Sequence, residues 1–180
     1  MLRDYFSKDA IMMLGCKQMY VALVTEHIPL KEVALAITTE RLKTFFRDFI
    51  KSTNAQNVAV LGLNPHAGDN GVLGDEEYFI VEAINTINSE LDYTVFKGPI
   101  VPDVAFTPDV REKYMYFIAM YHDQGLAPLK ALYFDESINV SLNLPIVRTS
   151  VDHGTAFDIA YKNIAKTQSY INALRASIEF

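Results

Sequence analysis

A single cysteine, Cys16, in a chain of 180 residues excludes an intrachain disulfide and fits a reducing compartment. Basic residues are also scarce. Sixteen Lys and Arg stand against twenty-two Asp and Glu, a formal net charge of −6. No basic stripe is evident, so no nucleic-acid partner is expected. No apolar run reaches membrane-spanning length, so the chain reads as soluble and cytoplasmic, with no membrane partner. The start, Met1-Leu2-Arg3-Asp4-Tyr5-Phe6, lacks the long apolar region of a signal peptide. It reads as a chain that begins partway through a larger structure. Internal repeats, low-complexity segments and a convincing linker are also missing, so residues 1–180 read as a single α/β region. What is present is apolar: half of the chain is hydrophobic and 21% is charged, enough for one sizeable domain with a real core.

Two short apolar runs, Ala10 to Leu14 and Met19 to Val24, predict a hairpin. Pro29 stands where a first helical residue is expected. The spacing of Val33, Ala36, Ile37, Leu42, Phe45, Phe46 and Phe49 predicts one helix over 30–50. Val58 to Leu63 reads as a strand, and 64–75 as a loop holding Gly68, Gly71 and Gly74. Residues 76–91 read as a helix, and Thr94 to Phe96 as a short strand ended by Gly98-Pro99. Tyr114 to Tyr121 is the strongest strand, and Asn139 to Leu142 is another. Residues 155–161 and 169–178 look helical. Strands alternating with helices indicate α/β layers.

Three of the four histidines follow strand-like runs: His27 after Val21-Ala22-Leu23-Val24, His66 after Val58 to Leu63, and His122 after Tyr114 to Tyr121. The stretch His122-Asp123-Gln124-Gly125 sits at a strand exit, where open α/β sheets place ligand chemistry. If these strand ends converge, three neutral imidazoles could hold a divalent metal and leave a coordination position open. The bland alternative is that they cap loops by hydrogen bonding. Asn64-Pro65-His66-Ala67-Gly68-Asp69-Asn70-Gly71 suits close approach of backbone to a ligand, or an ordinary connection. No Gly-Lys-Ser/Thr follows it, so it is not a Walker-type phosphate loop. Lys130, Asn139 and Arg148 lie on successive segments beyond His122. The two cations suit phosphate or carboxylate, and are equally read as solvated surface. Asp103 and Asp123 could orient a histidine, and Asp103 could equally be a turn residue. Asp152-His153-Gly154-Thr155-Ala156 precedes a helical stretch, with Thr155 as a candidate N-cap and Asp158 three residues on. Cys16 reads as a small buried residue.

At these residues the chain resembles the 4-hydroxythreonine-4-phosphate dehydrogenase family of vitamin B6 biosynthesis. The stretches that carry the resemblance are residues 61–68 (LGLNPHAG), 121–126 (YHDQGL) and 148–156 (RTSVDHGTA), with Thr25, His27 and Pro29 in 21–30. The resemblance runs in order along essentially the whole chain. It implies a layered α/β/α fold with a mixed, mostly parallel sheet, like part of the isocitrate/isopropylmalate dehydrogenase fold. It implies that His27, His66 and His122 are ligands of a divalent metal (zinc, magnesium or cobalt) shared between the subunits of a homodimer. Lys130, Asn139 and Arg148 match substrate-binding positions. From the residues themselves, Lys130, Asp103 and Asp123 are the catalytic candidates, with Lys130 open between proton transfer and anion binding. Residues 152–158 resemble the adenosine-side NAD motif of decarboxylating β-hydroxyacid dehydrogenases, which makes His153, Gly154, Thr155 and Asp158 cofactor-binding candidates. The implied reaction is NAD-dependent oxidation of the C3 hydroxyl of 4-phosphooxy-L-threonine, a small phosphorylated amino acid, after which the β-keto acid loses carbon dioxide. The family chain is about twice as long, and the matching part is its C-terminal one. The absent part carries further substrate contacts, including a His-Thr pair. The alternative is therefore a metal-binding, dimerising domain that does not turn over by itself. Ser141-Leu142-Asn143-Leu144-Pro145 and Ala160-Tyr161-Lys162-Asn163 depart from glycine-bearing segments of the family.

Overall fold

Alternation of side chains along the strands sorts the apolar residues onto two faces of one sheet. The computed structural model describes residues 5–6, 9–152, 154–155 and 157–179. Its strands are β1 (Ile11–Cys16), β2 (Met19–Leu23), β3 (Val58–Leu61), β4 (Phe96–Ile100), β5 (Tyr116–Ala119), β6 (Ile138–Leu142) and β7 (Arg148–Val151), in the order β4-β3-β5-β2-β1-β6-β7. Strands β4, β3, β5 and β2 are parallel. The hairpin partner β1 runs against β2 and β6, and β7 runs against β6. The mixed, mostly parallel sheet is therefore as expected.

The helices are α1 (Leu30–Ala36), α2 (Thr39–Thr53), α3 (Glu77–Leu91), the short α4 (Pro108–Arg111), α5 (His122–Tyr133) and α6 (Gln168–Glu179). One core lies between the sheet and α2, α3 and α6, through Phe45, Phe46, Phe49, Ile80, Ile84 and Ala173 against Val58, Val60, Ile118 and Val140. The other lies under α5, whose Leu126 and Leu129 cover Val21, Leu23, Phe117 and Ala119. Each fully buried side chain of this size contributes about 1.5–3 kcal/mol of transfer free energy. Helices on both faces make the α/β/α layers. Among the described residues no helix is long and apolar enough to cross a membrane.

Several elements differ from the sequence reading. The single helix over 30–50 is two, because Ile37 and Thr38 are extended and Thr38 Oγ1 caps α2 by accepting from Arg41 N–H at 3.3 Å. Three successive β-branched residues, Ile37, Thr38 and Thr39, favour that break. Pro29 is the N-cap of α1 rather than its first residue. Strand β4 runs through Gly98-Pro99 instead of ending there, which an edge strand permits because proline loses only an outward donor. Helix α5 begins at His122 itself, so the polar stretch is its first turn and not a loop. Strand β7 is half-polar and sits at the sheet edge. The helix expected over 155–161 reduces to one 3-10 turn, Phe157–Ile159, with no buried residue. A short helix without tertiary packing is marginal. Thr155 therefore precedes that turn and caps no α-helix.

Candidate metal and substrate site

The adjacent parallel strands β3, β5 and β2 deliver the three histidine segments to one edge of the sheet. The ladders pair Ile118 with both Ala22 and Val60, and the chains leave the sheet a few residues later. Thr25 is buried, and its hydroxyl donates to Met120 O at 2.7 Å while its N–H donates to the same oxygen at 3.2 Å. Arg41 Nη2 donates to Val24 O at 3.0 Å. These bonds hold the His27 segment beside that of His122, and the two rings lie 5.5 Å apart, centroid to centroid, inclined by 45°. Two imidazoles on one tetrahedral zinc ion, with bonds of about 2.0–2.1 Å, place their ring centroids roughly 5 Å apart. The observed spacing is compatible with a shared divalent ion. Asp123 Oδ1 lies 2.7 Å from His122 Nδ1, the contact by which a carboxylate orients a ligating ring and leaves Nε2 for a metal. Among the described residues no third His, Cys, Asp or Glu completes a metal-holding group in the single chain. The structure pairs His27 with His122 and leaves His66 outside that pair.

His66 lies in a backbone run that side chains rarely adopt. His66, Ala67, Gly68, Asp69 and Asn70 have φ of 53°, 50°, 78°, 43° and 55°. Left-handed conformation costs non-glycine residues about 1–2 kcal/mol each. The Glu77 carboxylate, buried at the start of α3, offsets that strain. Its Oε1 accepts from Leu63 N–H at 2.9 Å and Asn64 N–H at 2.8 Å, and its Oε2 from Asn64 Nδ2 at 2.9 Å. Asn64 Nδ2 also donates to Glu76 Oε2 at 2.7 Å, and this bond lowers the Glu76 carboxyl below its ordinary value. A Cβ on Gly68 would lie 2.6 Å from Glu77 Oε2, so glycine makes room for the carboxylate. Gly125 serves α5 in the same way. A Cβ there would stand 2.5 Å from Val21 Cγ1, so its absence seats the helix on β2.

Lys130, Asn139 and Arg148 share the α5 side of the sheet. Lys130 Nζ is 3.2 Å from Asp152 Oδ1 and donates to Asp152 O at 3.3 Å. Asp152 in turn accepts from Ser137 Oγ at 2.7 Å. Arg148 Nη1 donates to Ser141 Oγ at 2.9 Å across the β6–β7 register. Asn139 Oδ1 is buried without a hydrogen-bond partner, an acceptor in want of a donor. Asp103 is exposed in the segment after β4, on the far side of β3. Thr155 and Asp158 line a cleft of about 870 Å³ with Asp152, Phe134 and Tyr161. Gly154 is exposed next to them, and His153 lies outside the described residues. Burial pushes the Cys16 thiol up, as fits a packing residue.

Sequence reasoning missed Glu77, Gln124 and Asp152 as organisers. Gln124 was visible inside the His122–Gly125 stretch, but its partners, Met120 N–H and Gly62 O, depend on the sheet order. Glu77 carries no local signal beyond that of an acidic residue in a first helical turn.

The chain matches the family described as pyridoxal phosphate biosynthetic protein PdxA over residues 1–177. It is 68% identical over 178 residues to the 4-hydroxythreonine-4-phosphate dehydrogenase of Sulfurimonas denitrificans, covering 99% of this chain and 58% of that protein. It is 56% identical to the enzyme of the same name from Campylobacter fetus, with the same coverage. The crystal structure of the Klebsiella pneumoniae 4-hydroxythreonine-4-phosphate dehydrogenase superposes with a TM-score of 0.83 at 34% identity, covering 99% of this chain and 56% of that one. The chain thus spans less than two thirds of the length of these relatives. The ordered match and the shared α/β architecture together place the chain in the pyridoxal phosphate biosynthetic protein PdxA family.

Proposed function

We propose that this chain holds the metal and the phosphorylated substrate in an NAD-dependent 4-hydroxythreonine-4-phosphate dehydrogenase of vitamin B6 biosynthesis, acting as a cytoplasmic homodimer. The observation that carries the reading is the His27–His122 ring pair at neighbouring strand ends, on a chain of this family. A second copy is the proposed source of a third ligand, with His66 in that role. A bound divalent metal would polarise the C3 hydroxyl and steady the charge left by carbon dioxide release, and NAD would accept the hydride. His27, His66 and His122 would hold that metal, and Asp123 would fix the His122 ring. Arg148, with a planar fork of donors, suits the phosphate. Lys130 supplies an ammonium anchored by Asp152 and is read as an anion holder, with proton transfer as its second role. Asn139, on β6 two residues before the Ser141 that Arg148 bonds, is the third proposed substrate-binding residue. Gly154, Thr155 and Asp158, with His153, are read as the NAD side. Asp103 remains a catalytic candidate, reached only if the bound state brings it inward.

The test is zinc and cobalt content after metal loading and dialysis. The wild-type chain is expected to retain metal, and His27→Ala, His66→Ala and His122→Ala to lose most of it, while His153→Ala retains it. Equal metal in all five proteins would overturn the reading. NADH formation from 4-phosphooxy-threonine separates the enzyme from a metal-binding domain without turnover. The chain alone is expected to form none, and a chain carrying the remainder of its relatives' length to form it. Steady NADH formation by the chain alone, abolished in His122→Ala, would refute the need for that remainder.

A further inference from the structure

We propose that Gln124 is the positioning residue of the candidate metal centre. Its carboxamide stands in for a backbone rung between β3 and β5 and fixes the spacing of the histidine segments. The inference rests on the metal reading above. The β3–β5 ladder ends at Val60 and Ile118. Beyond it the strands turn to other partners: Gly62 N–H donates to Ile100 O at 2.9 Å, and Met120 O accepts from Thr25. Gly62 O and Met120 N–H are the groups for which this divergence leaves no strand partner. Gln124 serves both. Its Oε1 accepts from Met120 N–H at 2.7 Å, and its Nε2 donates to Gly62 O at 2.7 Å.

A primary amide carries one acceptor and a pair of donors on a rigid plane, the same complement as a peptide group. A carboxylate accepts only and would set an oxygen against Gly62 O. Methionine or leucine would leave both backbone groups unmet, at a cost that rises with burial. The bonds also form one thread. Gly62 precedes the His66 loop, Gln124 shares the first turn of α5 with His122, and Met120 passes the link through its carbonyl to Thr25, two residues before His27. One side chain therefore ties together all three segments that carry the candidate ligands.

Two measurements decide it. In the wild-type chain, the Met120 amide is expected to exchange slowly with solvent deuterium, because its acceptor is the Gln124 side chain. Exchange at the rate of an open loop would overturn the rung. Zinc titration then compares wild type, Gln124→Met, Gln124→Glu and the control Gln168→Ala, whose exposed side chain donates to Asn172 within α6. Loss of supporting contacts around metal ligands typically weakens binding about 10–100-fold. Gln124→Met is expected to weaken zinc binding about tenfold or more, Gln124→Glu by less because the Met120 arm remains, and Gln168→Ala not at all. Should Gln124→Met fail to fold, Gln124→Glu carries the comparison. Unchanged zinc affinity in a folded Gln124 variant would overturn the positioning role. Absence of zinc binding by the wild type would instead overturn the metal reading, and the positioning role with it.

Discussion

Replacing Gly125 by alanine sets two effects against each other within α5. In an exposed helix interior, alanine is favoured over glycine by about 1 kcal/mol. Here the new Cβ would lie 2.5 Å from Val21 Cγ1, 2.9 Å from Ala119 Cβ and 3.4 Å from Leu23 Cδ2. Carbon atoms rest at about 3.5–4.0 Å, so α5 must rise by roughly 1 Å or its neighbours must shift. Val21 and Ala119 are fully buried and have nowhere to go. Overpacking of this kind costs about 1–3 kcal/mol, and a lifted helix also loses contact for Leu126 and Leu129. With the propensity gain set against the clash and the lost Leu126 and Leu129 contacts, Gly125→Ala is expected to destabilise by a net ~1–2 kcal/mol. For a chain of this size that lowers Tm by about 2–4 °C for each kcal/mol. Ala127, exposed in the same helix, isolates the propensity effect, since Ala127→Gly should lose about 1 kcal/mol with no clash. Urea unfolding of both variants measures the two contributions separately. A Gly125→Ala protein as stable as wild type, or more so, would refute the close seating of α5 on β2 and β5.

Glu77→Gln keeps the shape but sets an amide donor against Asn64 Nδ2 or against two backbone donors. A loss of about 2–4 kcal/mol is expected, with faster amide exchange at Leu63 and Asn64, and unchanged exchange there would count against the role of Glu77 in the His66 loop. Burial, reinforced by nearby Tyr116, pushes the Tyr20 hydroxyl up from 10.0 to about 12. A group raised in the folded state contributes stability below its unfolded value and loses it above, so stability should fall as pH rises from 10 toward 12. Unfolding curves at the two ends of that window should show a smaller fall for Tyr20→Phe. Asp152→Asn keeps an acceptor for Ser137 but removes the carboxylate beside Lys130. A cost of about 1–3 kcal/mol is expected, and little of it should remain in a Lys130→Met background if the pair is the cause.

The strand ends that carry His27, His66 and His122 were legible because each follows a short, wholly buried run in a parallel sheet, and such runs read as near-continuous apolar stretches. What stayed hidden depends on contacts between segments. Gly125 and Pro128 both argue against a helix in isolation. Packing of Leu126 and Leu129 on β2 and β5 overrides them. Arg148-Thr149-Ser150-Val151 lacks an apolar face, yet it pairs along β6 at the sheet edge. Of the candidate site residues, local chemistry gave the types and their order along the chain. It did not give the carboxylate at Glu77 or the pairing of Lys130 with Asp152, since each joins residues more than ten positions apart.

The common rung at Ile118 also sets how much length variation this edge of the sheet can absorb. His122 comes four residues after Ile118, His27 five after its partner Ala22, and His66 six after its partner Val60. Each extra residue in an extended segment advances the chain by about 3.3 Å, far beyond the ~0.2 Å tolerance of a metal–ligand bond. Under the proposed metal reading, the three exits act as fixed spacers, in which an insertion or deletion is felt at once as a misplaced ring. The exposed connection between the Phe157–Ile159 turn and α6 has no such gauge to keep, and it can lengthen or shorten without moving any of them.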